Sequence, residues 1–288
     1  MIVRIAPFLL PTLLFESGLF MVLAPLPLFM LTLKNFPWVS ALALFTNLAF
    51  LYALQGKASA LIAAWLLTIV GILFPLLIKR FERIIPSFWF SFLFGLTLLY
   101  VTLVVVSLQE NLGVVDYVKR QVSFNMEAVL QVPDSPLQKL VDEQGRAEVL
   151  REIVDELPAA LIISYLTVFW LNLLFATRLM RDFITPQFWA SYRNPEWLVW
   201  PTLLCGVSFV YGKFALYYIG LNGFKVMLAL YALQGLSIIS FLLNQAKIMG
   251  WGRGLIFVMS ILIALPMVVA VGFFDQWFDF RRKFGQSL

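Results

Sequence analysis

The amino-acid sequence predicts an all-α fold, a polytopic transmembrane helical bundle of about eight or nine spans. Hydrophobic residues make up 61% of the chain and charged residues 13%, whereas soluble domains are about 45–50% apolar and about 25% charged. Continuous apolar runs of about 20 residues recur, which is the length a helix needs to cross the hydrocarbon. A membrane barrel would instead alternate polar and apolar residues over about 10 positions. The spans are therefore predicted to be helical.

The apolar runs place the individual spans. The first run, residues 5–33, is too long for one straight span, and residues 24–27 interrupt it with two prolines, which break or kink helices. It is either one span followed by a re-entrant piece or a tight pair of crossings. Further spans are predicted near residues 38–55, 58–78, 87–108, 158–177, 197–212, 224–243 and 255–274. We predict a single membrane-embedded domain over residues 1–288, with one polar insert at residues 109–157.

Basic residues between the spans predict the orientation of the chain, because Lys and Arg favour cytoplasmic loops. Three such loops carry Lys79, Arg80 and Arg83; Arg178, Arg181 and Arg193; and Lys247 and Arg253. The insert has ten acidic and five basic residues, a net charge of −5, which favours the outer side. The tail disagrees, since Arg281, Arg282 and Lys283 favour the inside whereas the span count puts them outside. A break near residues 250–254 would reverse the side of the tail.

The end of the insert has the pattern of an amphipathic helix. Over residues 146–157, Val149, Leu150, Ile153 and Val154 recur at helical spacing with charged residues between them. Pro158 follows and is predicted to begin the next span. This helix is either a lid on the membrane surface or a packed connector that shields the bundle, and the sequence leaves both open.

Polar side chains inside the apolar runs are the candidate ligand-binding residues, because ionisable groups are costly in a bilayer and often mark functional sites. They are Glu16, Asn47, Asn172, Lys213 and Gln234. The alternative for the amides and for Glu16 is a hydrogen bond between helices. The alternative for Lys213 is a side chain whose aliphatic part lies in the membrane while its ammonium group extends to the membrane surface.

The residues that are missing exclude several classes of function. The chain has no histidine and one cysteine, Cys205, so the commonest general base at neutral pH is absent. No phosphate-binding glycine loop of the Walker type is present. The net charge of +5 is spread over loops, unlike the basic patch of a nucleic-acid-binding protein. We therefore expect no catalytic residues, metal site or cofactor, no enzymatic activity, and no nucleic-acid partner.

Several short segments, taken in order, resemble the YybS-like family of bacterial multi-pass membrane proteins, whose function is unknown. The segments are residues 24–27 (APLP), 193–201 (RNPEWLVWP), 220–222 (GLN), 234–235 (QG) and 272–281 (GFFDQWFDFR). The resemblance implies a protein of the bacterial inner (cytoplasmic) membrane. It also implies an organisation similar to the substrate-binding S components of energy-coupling-factor transporters and, more distantly, to the rod-shape protein MreD.

Two functions are compatible with these observations. The first is a component that binds or transports a small molecule, with Glu16, Asn47, Asn172 and Gln234 as polar contacts and a separate ATPase or transmembrane coupling module as partner. The alternative is a structural or assembly protein, like MreD, that docks partner membrane proteins. The lipid bilayer surrounds the chain in either case.

Overall fold

A computed structural model describes residues 2–34, 37–132, 135–180, 187–248 and 250–285, and within these ranges all regular structure is helical. Arg181, which contributed to the predicted orientation, lies outside them. The α-helices are α1 (Ile2–Glu16), α2 (Leu26–Lys34), α3 (Pro37–Gln55), α4 (Lys57–Leu66), α5 (Phe74–Phe81), α6 (Ile84–Gln109), α7 (Val114–Leu130), α8 (Pro136–Gln144), α9 (Arg146–Leu179), α10 (Gln187–Ser191), α11 (Val199–Tyr211), α12 (Ala215–Gln245), α13 (Trp251–Leu262), α14 (Leu265–Phe278) and α15 (Phe280–Gly285). A π-helical turn, Leu67–Leu73, joins α4 to α5.

Five helices in the described part of the chain are long and apolar enough to cross a membrane. They are Pro37–Gln55, Lys57–Phe81, Ile84–Gln109, Arg146–Leu179 and Ala215–Gln245, with a sixth span if α13 and α14 count as one. The remaining apolar helices, Ala6–Glu16, Met21–Lys34 and Glu196–Tyr211, are shorter, at 10–17 residues. The expected eight or nine spans are therefore not confirmed. Several apolar runs form helices shorter than a full crossing because prolines and glycines interrupt them.

The first apolar run is broken, as its prolines predict, and the break extends well before residue 24. Helix α1 ends at Glu16, and Gly18 adopts a φ of +64°, the left-handed conformation that commonly terminates helices. A 3-10 turn at Met21–Leu23 follows before α2 begins at Leu26. Glu16, expected well inside a span, instead lies at the exposed end of α1.

The last apolar run differs from the prediction of one span at residues 255–274. It forms α13 and α14, whose axes are bent by 94° at Ile263–Ala264. Pro266 explains the position of the bend. It has no N–H to bond to the carbonyl of Leu262, and its ring clashes with that carbonyl, so α13 ends at Leu262. At residues 250–254, where a break was considered, only Gly250 precedes α13, and Trp251–Gly254 form the first turn of that helix.

The insert at residues 109–157 is helical over most of its described length. It contains α7, α8 and the beginning of α9. The predicted amphipathic segment, residues 146–157, is not a separate helix, because α9 continues through Pro158 to Leu179 over 34 residues. A helix of this length extends about 51 Å, well beyond the roughly 30 Å hydrocarbon layer. The membrane side of the insert stays a prediction.

The chain divides into two compact units. The first unit comprises Met1–Val154 and Ser164–Ile184, and the second comprises Asp155–Ile163 and Thr185–Leu288. The core of the first unit includes Phe15, Ala24, Leu28, Ala43, Leu51, Ala63 and Leu67. In the second unit, α11 and α14 both pack on α12. The expectation of a single domain is not tested by this division and stays a prediction.

Candidate functional site

Two glycines bring α12 and α14 into backbone contact. A Cβ atom at Gly235 would lie 2.0 Å from the carbonyl oxygen of Val268, and a Cβ atom at Gly272 would lie 2.0 Å from that of Tyr231. Any side chain at either position would force the two helices apart. Gln234 is next to the first glycine, and Asp275 follows the second by three residues, about one helical turn. The close approach thus brings these two polar side chains together.

Asp275 is completely buried, with 0% of its surface exposed. Its Oδ2 accepts hydrogen bonds from Gln234 Nε2 at 2.9 Å and from Arg281 Nη1 at 3.3 Å. Its Oδ1 accepts from the backbone N–H of Phe280 at 2.9 Å. Asp279 has a φ of 44°, and this left-handed turn after α14 directs Phe280 and Arg281 back to the carboxylate. A buried carboxylate is tolerated because it is paired and hydrogen-bonded in this way.

Arg281 connects the carboxylate to two other segments. Its Nη2 donates to the carbonyl of Tyr192 and to Ser237 Oγ, both at 2.8 Å. Burial lowers the pKa of this guanidinium, and the nearby carboxylate of Asp275 opposes that shift. Arginine is not deprotonated in proteins, so Arg281 brings a positive charge to within 3.3 Å of Asp275 Oδ2.

The segment between α10 and α11 adds a third side to the cluster. Arg193 Nη2 donates to the carbonyl of Asp275 at 3.1 Å, and the N–H of Asn194 donates to Gln234 Oε1 at 3.0 Å. Tyr192 Oη donates to Asn194 Oδ1 at 2.8 Å. Burial raises the pKa of Tyr192 to about 12, so at neutral pH its phenol is protonated and can donate.

We call this group the Asp275 cluster. Its members are Tyr192, Arg193, Asn194, Gln234, Ser237, Asp275, Gln276 and Arg281. The guanidinium of Arg281 pairs with the fully buried carboxylate of Asp275, that of Arg193 binds the backbone carbonyl of the same residue, and Asp279 adds a half-buried carboxylate beside Arg281. The Nε atoms of Arg193 and Arg281 and the Oε1 of Gln276 are buried and have no hydrogen-bond partner among the described residues. The cluster therefore combines buried charge with two free donors and one free acceptor.

Among the members of this cluster, only Gln234 is predicted from the sequence to be a ligand contact. Asp275 lies at the end of an apolar run, and Arg281 was interpreted as a topology signal in the tail. The segments that carried the family resemblance, residues 193–201, 234–235 and 272–281, contain most of the cluster. The presence of these three segments in one sequence was the signal that could have identified the Asp275 cluster.

Asn222 has a structural role at the proline in α9. In a regular helix the N–H of Ala159 donates to the carbonyl of Asp155. Here Asn222 Oδ1 accepts from Ala159 N and Asn222 Nδ2 donates to Asp155 O, both at 2.8 Å. Neighbouring helices commonly bond to the backbone groups that a proline such as Pro158 leaves without a partner in its own helix. The amide of Asn222 explains why α9 continues where the sequence predicted a new span.

Asn47 makes the same kind of contact at Pro11 in α1. Pro11 has no N–H for the carbonyl of Pro7, and Asn47 Nδ2 donates to that carbonyl at 3.0 Å. Asn47 Oδ1 accepts from the N–H of Thr12 at 3.0 Å and from its hydroxyl at 2.8 Å. The amide is fully buried and its groups are occupied by α1 and by the carbonyl of Ala43.

The other predicted contact residues lie apart from the Asp275 cluster in sequence and bonding. Asn172 Nδ2 donates to the carbonyls of Val22 at 2.8 Å and Val168 at 2.7 Å. Glu16 Oε2 accepts from Gln55 Nε2 at 2.7 Å on an exposed surface. Lys213 is exposed in the short turn between α11 and α12. Whether any of these residues contacts a ligand stays a prediction.

Glu16, Asn47 and Asn172 belong to the first unit, and Lys213 and Gln234 to the second. Within the described ranges, no group of three or more His, Cys, Asp or Glu residues could hold a metal ion.

The helices and the buried cluster together define an integral membrane protein. The chain belongs to the family described as predicted membrane protein (DUF2232), which matches residues 3–276. No curated protein and no solved structure matches the chain. The match supports a membrane protein of unknown function, and the likeness to YybS-like proteins and to S components stays a prediction.

Proposed function

We propose that this protein is a small-molecule binding or transport component of the bacterial inner membrane, and that the Asp275 cluster is its binding site. The observation that carries the proposal is the completely buried carboxylate of Asp275, held by Arg281 in the interior of the protein. Buried charged groups carry a large desolvation penalty, and they commonly mark functional sites.

The unpaired atoms in the cluster support a polar ligand. Buried polar groups nearly always have hydrogen-bond partners, so the free donors on Arg193 and Arg281 and the free acceptor on Gln276 require a water or a ligand. Two guanidinium donors suit a carboxylate or another anionic group, because their N–H groups match its geometry. The proposed ligand is a small polar molecule with an anionic end, and a separate ATPase or coupling module would supply energy for its transport.

A structural or assembly role is the second candidate, and a specific observation favours it. The amides of Asn47, Asn172 and Asn222 donate to backbone carbonyls of neighbouring segments. Amides used in this way hold helices together, and those of Asn47 and Asn222, whose oxygens are also bonded, leave little bonding capacity for a ligand. The Oδ1 of Asn172 is buried and has no partner among the described residues. A protein of this kind would offer its apolar helix faces to another membrane protein.

The test is to purify the protein in mild detergent, denature it and identify any released small molecule by mass spectrometry. Gln276→Met removes the free acceptor, together with the long Nε2 bonds to Asn194 O and Gln234 Oε1, while keeping the length of the side chain. Gln55→Met makes the same change in the first unit. Wild type and Gln55→Met should retain the molecule. Gln276→Met should retain it about tenfold less well, the effect of losing one hydrogen bond worth about 1.4 kcal/mol.

The absence of a released molecule from folded wild-type protein would overturn the proposal. So would equal retention by Gln276→Met. A stable stoichiometric protein partner, seen by native mass spectrometry without any small molecule, would favour the structural role instead.

A further inference from the structure

The two ends of the α13–α14 pair contact nearly the same place on α12. Near the start of α13, Arg253 Nη2 donates to Ser240 Oγ at 2.6 Å, and Arg253 Nη1 donates to Asn244 Oδ1. After α14, Arg281 Nη2 donates to Ser237 Oγ at 2.8 Å. Ser237 and Ser240 are separated by about 4.5 Å along the helix axis. A segment that crosses the bilayer must separate its ends by about 30 Å.

We infer that α13 and α14 form a re-entrant pair that enters the membrane and returns, so that the tail after α14 lies on the same side as Arg253. This inference is independent of the proposed function, because it rests on where the ends of the pair are fixed and not on what the Asp275 cluster binds.

The shape and surface of the pair agree with this path. Its axes are bent by 94° between Leu262 and Leu265. Around the bend, Leu262, Ile263 and Met267 are 76%, 69% and 73% exposed. Large apolar side chains exposed at a bend are compatible with the hydrocarbon layer of the membrane and not with water. The bend therefore faces the hydrocarbon layer, and after it α14 packs beside Gly235 and Tyr231 of α12.

The outer ends of the pair carry residues typical of a membrane surface. Trp251 is 96% exposed at the start of α13, and Trp277 is 58% exposed near the end of α14. Tryptophan is enriched at membrane–water interfaces, and basic residues accompany it on the cytoplasmic side. Arg253 follows the first tryptophan and Arg281 the second, so both ends have the composition of the same surface.

A re-entrant pair removes the conflict in the predicted orientation. Arg253 and Arg281 contact residues 237–244 of α12, and Asn194, next to Arg193, donates to the carbonyl of Leu230 on the same helix. The basic loops of the second unit and the basic tail are thus placed on one side, which the charge pattern assigns to the cytoplasm. The span count put the tail outside because it counted residues 255–274 as a crossing.

The opposite end of α12 provides an internal reference. Phe214 precedes the first residue of α12 and is 87% exposed. Ala215 and Ser240 are separated by about 38 Å along the helix axis, more than the thickness of the hydrocarbon layer. Phe214 should therefore report the side of the membrane opposite to Arg253.

Cysteine accessibility tests the inference in membrane vesicles of known orientation. In a Cys205→Ser background, single cysteines are introduced by Gly254→Cys, Gly285→Cys, Phe214→Cys and Ile263→Cys, none of which changes a charge. A membrane-impermeant maleimide should label positions 254 and 285 from the same side and position 214 from the other. Position 263 should react at least tenfold more slowly than position 254 until detergent dissolves the membrane.

Labelling of positions 254 and 285 from opposite sides would show that the pair crosses the bilayer and would overturn the inference. Rapid labelling of position 263 from the side that labels position 214 would do the same. Each variant is first shown to be inserted and folded by full labelling in detergent and by elution as a single peak in size-exclusion chromatography.

Discussion

The two units use buried polar side chains differently. In the first unit, the amides of Asn47 and Asn172 bond to backbone groups near breaks in α1 and between α1 and α2. In the second unit, Asn222 has a similar role, but a charged cluster around Asp275 and Arg281 is added to it. Neutral amides compensate for broken helices at low cost, whereas a buried ion pair carries a large desolvation penalty. The difference directs the search for function to the second unit.

The largest effect on stability is expected at the ion pair of the second unit. Asp275→Ala removes the carboxylate and leaves the largely buried guanidinium of Arg281 without its partner. Breaking a buried ion pair by removing one partner costs about 3–5 kcal/mol. Thermal unfolding of the purified protein in detergent should show a correspondingly large fall in Tm.

The matched control replaces both members of the pair. In Asp275→Leu combined with Arg281→Met, no unpaired charge remains, and such replacements are often nearly neutral. The double variant should therefore be more stable than Asp275→Ala. An Asp275→Ala protein that unfolds within 1 °C of wild type would mean that the pair contributes little to stability.

An intermediate effect is expected where amides compensate for prolines. Asn222→Leu removes the side-chain amide that bonds to the N–H of Ala159 and to the carbonyl of Asp155. The free energy of unfolding should fall by about 1–3 kcal/mol. With Pro158→Ala in the background, the helix can join these two groups directly, so the cost should fall. A double-mutant cycle measured by chemical unfolding gives the coupling between the two positions.

The same cycle on Asn47→Leu and Pro11→Ala tests whether the first unit follows the same rule. Additive losses within about 0.5 kcal/mol in either cycle would contradict the compensation. Similar coupling in both cycles would show that the units share this device and differ in their charged groups.

The smallest effect is expected at the exposed hydrogen bond of the first unit. Glu16→Gln should change stability by less than about 0.5 kcal/mol, as most surface substitutions do, because Gln55 and Glu16 are both exposed on the surface of the protein. The measurement uses the same unfolding assay as Asp275→Ala. A loss above 2 kcal/mol would show that Glu16 is more important than its position at the end of α1 indicates.

Composition was sufficient to predict an all-helical membrane protein, because the bilayer excludes other architectures for long apolar runs. The breaks were harder to predict. Pro158 was expected to begin a span, but α9 continues through it, and Asn222, 63 residues further along the chain from Ala159, bonds to the N–H of Ala159 and the carbonyl of Asp155. Pro266 ends α13 inside a run that was predicted to be a single span.

The candidate site was predicted only at Gln234. Whether a polar residue in an apolar run is buried depends on contacts that are distant in sequence, such as the 41 residues between Gln234 and Asp275. Glu16 looked embedded because the run around it is apolar, yet Gly18 ends the helix and leaves the carboxylate exposed. The sign and number of charges are visible in a sequence, but their pairing is not.

The amide that bridges α9 at its proline has an evolutionary consequence. Pro158 creates the need for an external hydrogen-bonding group, and Asn222 meets it, so the bonds from Asn222 to α9 contribute most where the proline is present. Selection should therefore treat the two positions as a single inherited trait. Among relatives, lineages that lose the proline should also be free to lose the asparagine, and the two substitutions should occur together on the same branches of the family tree.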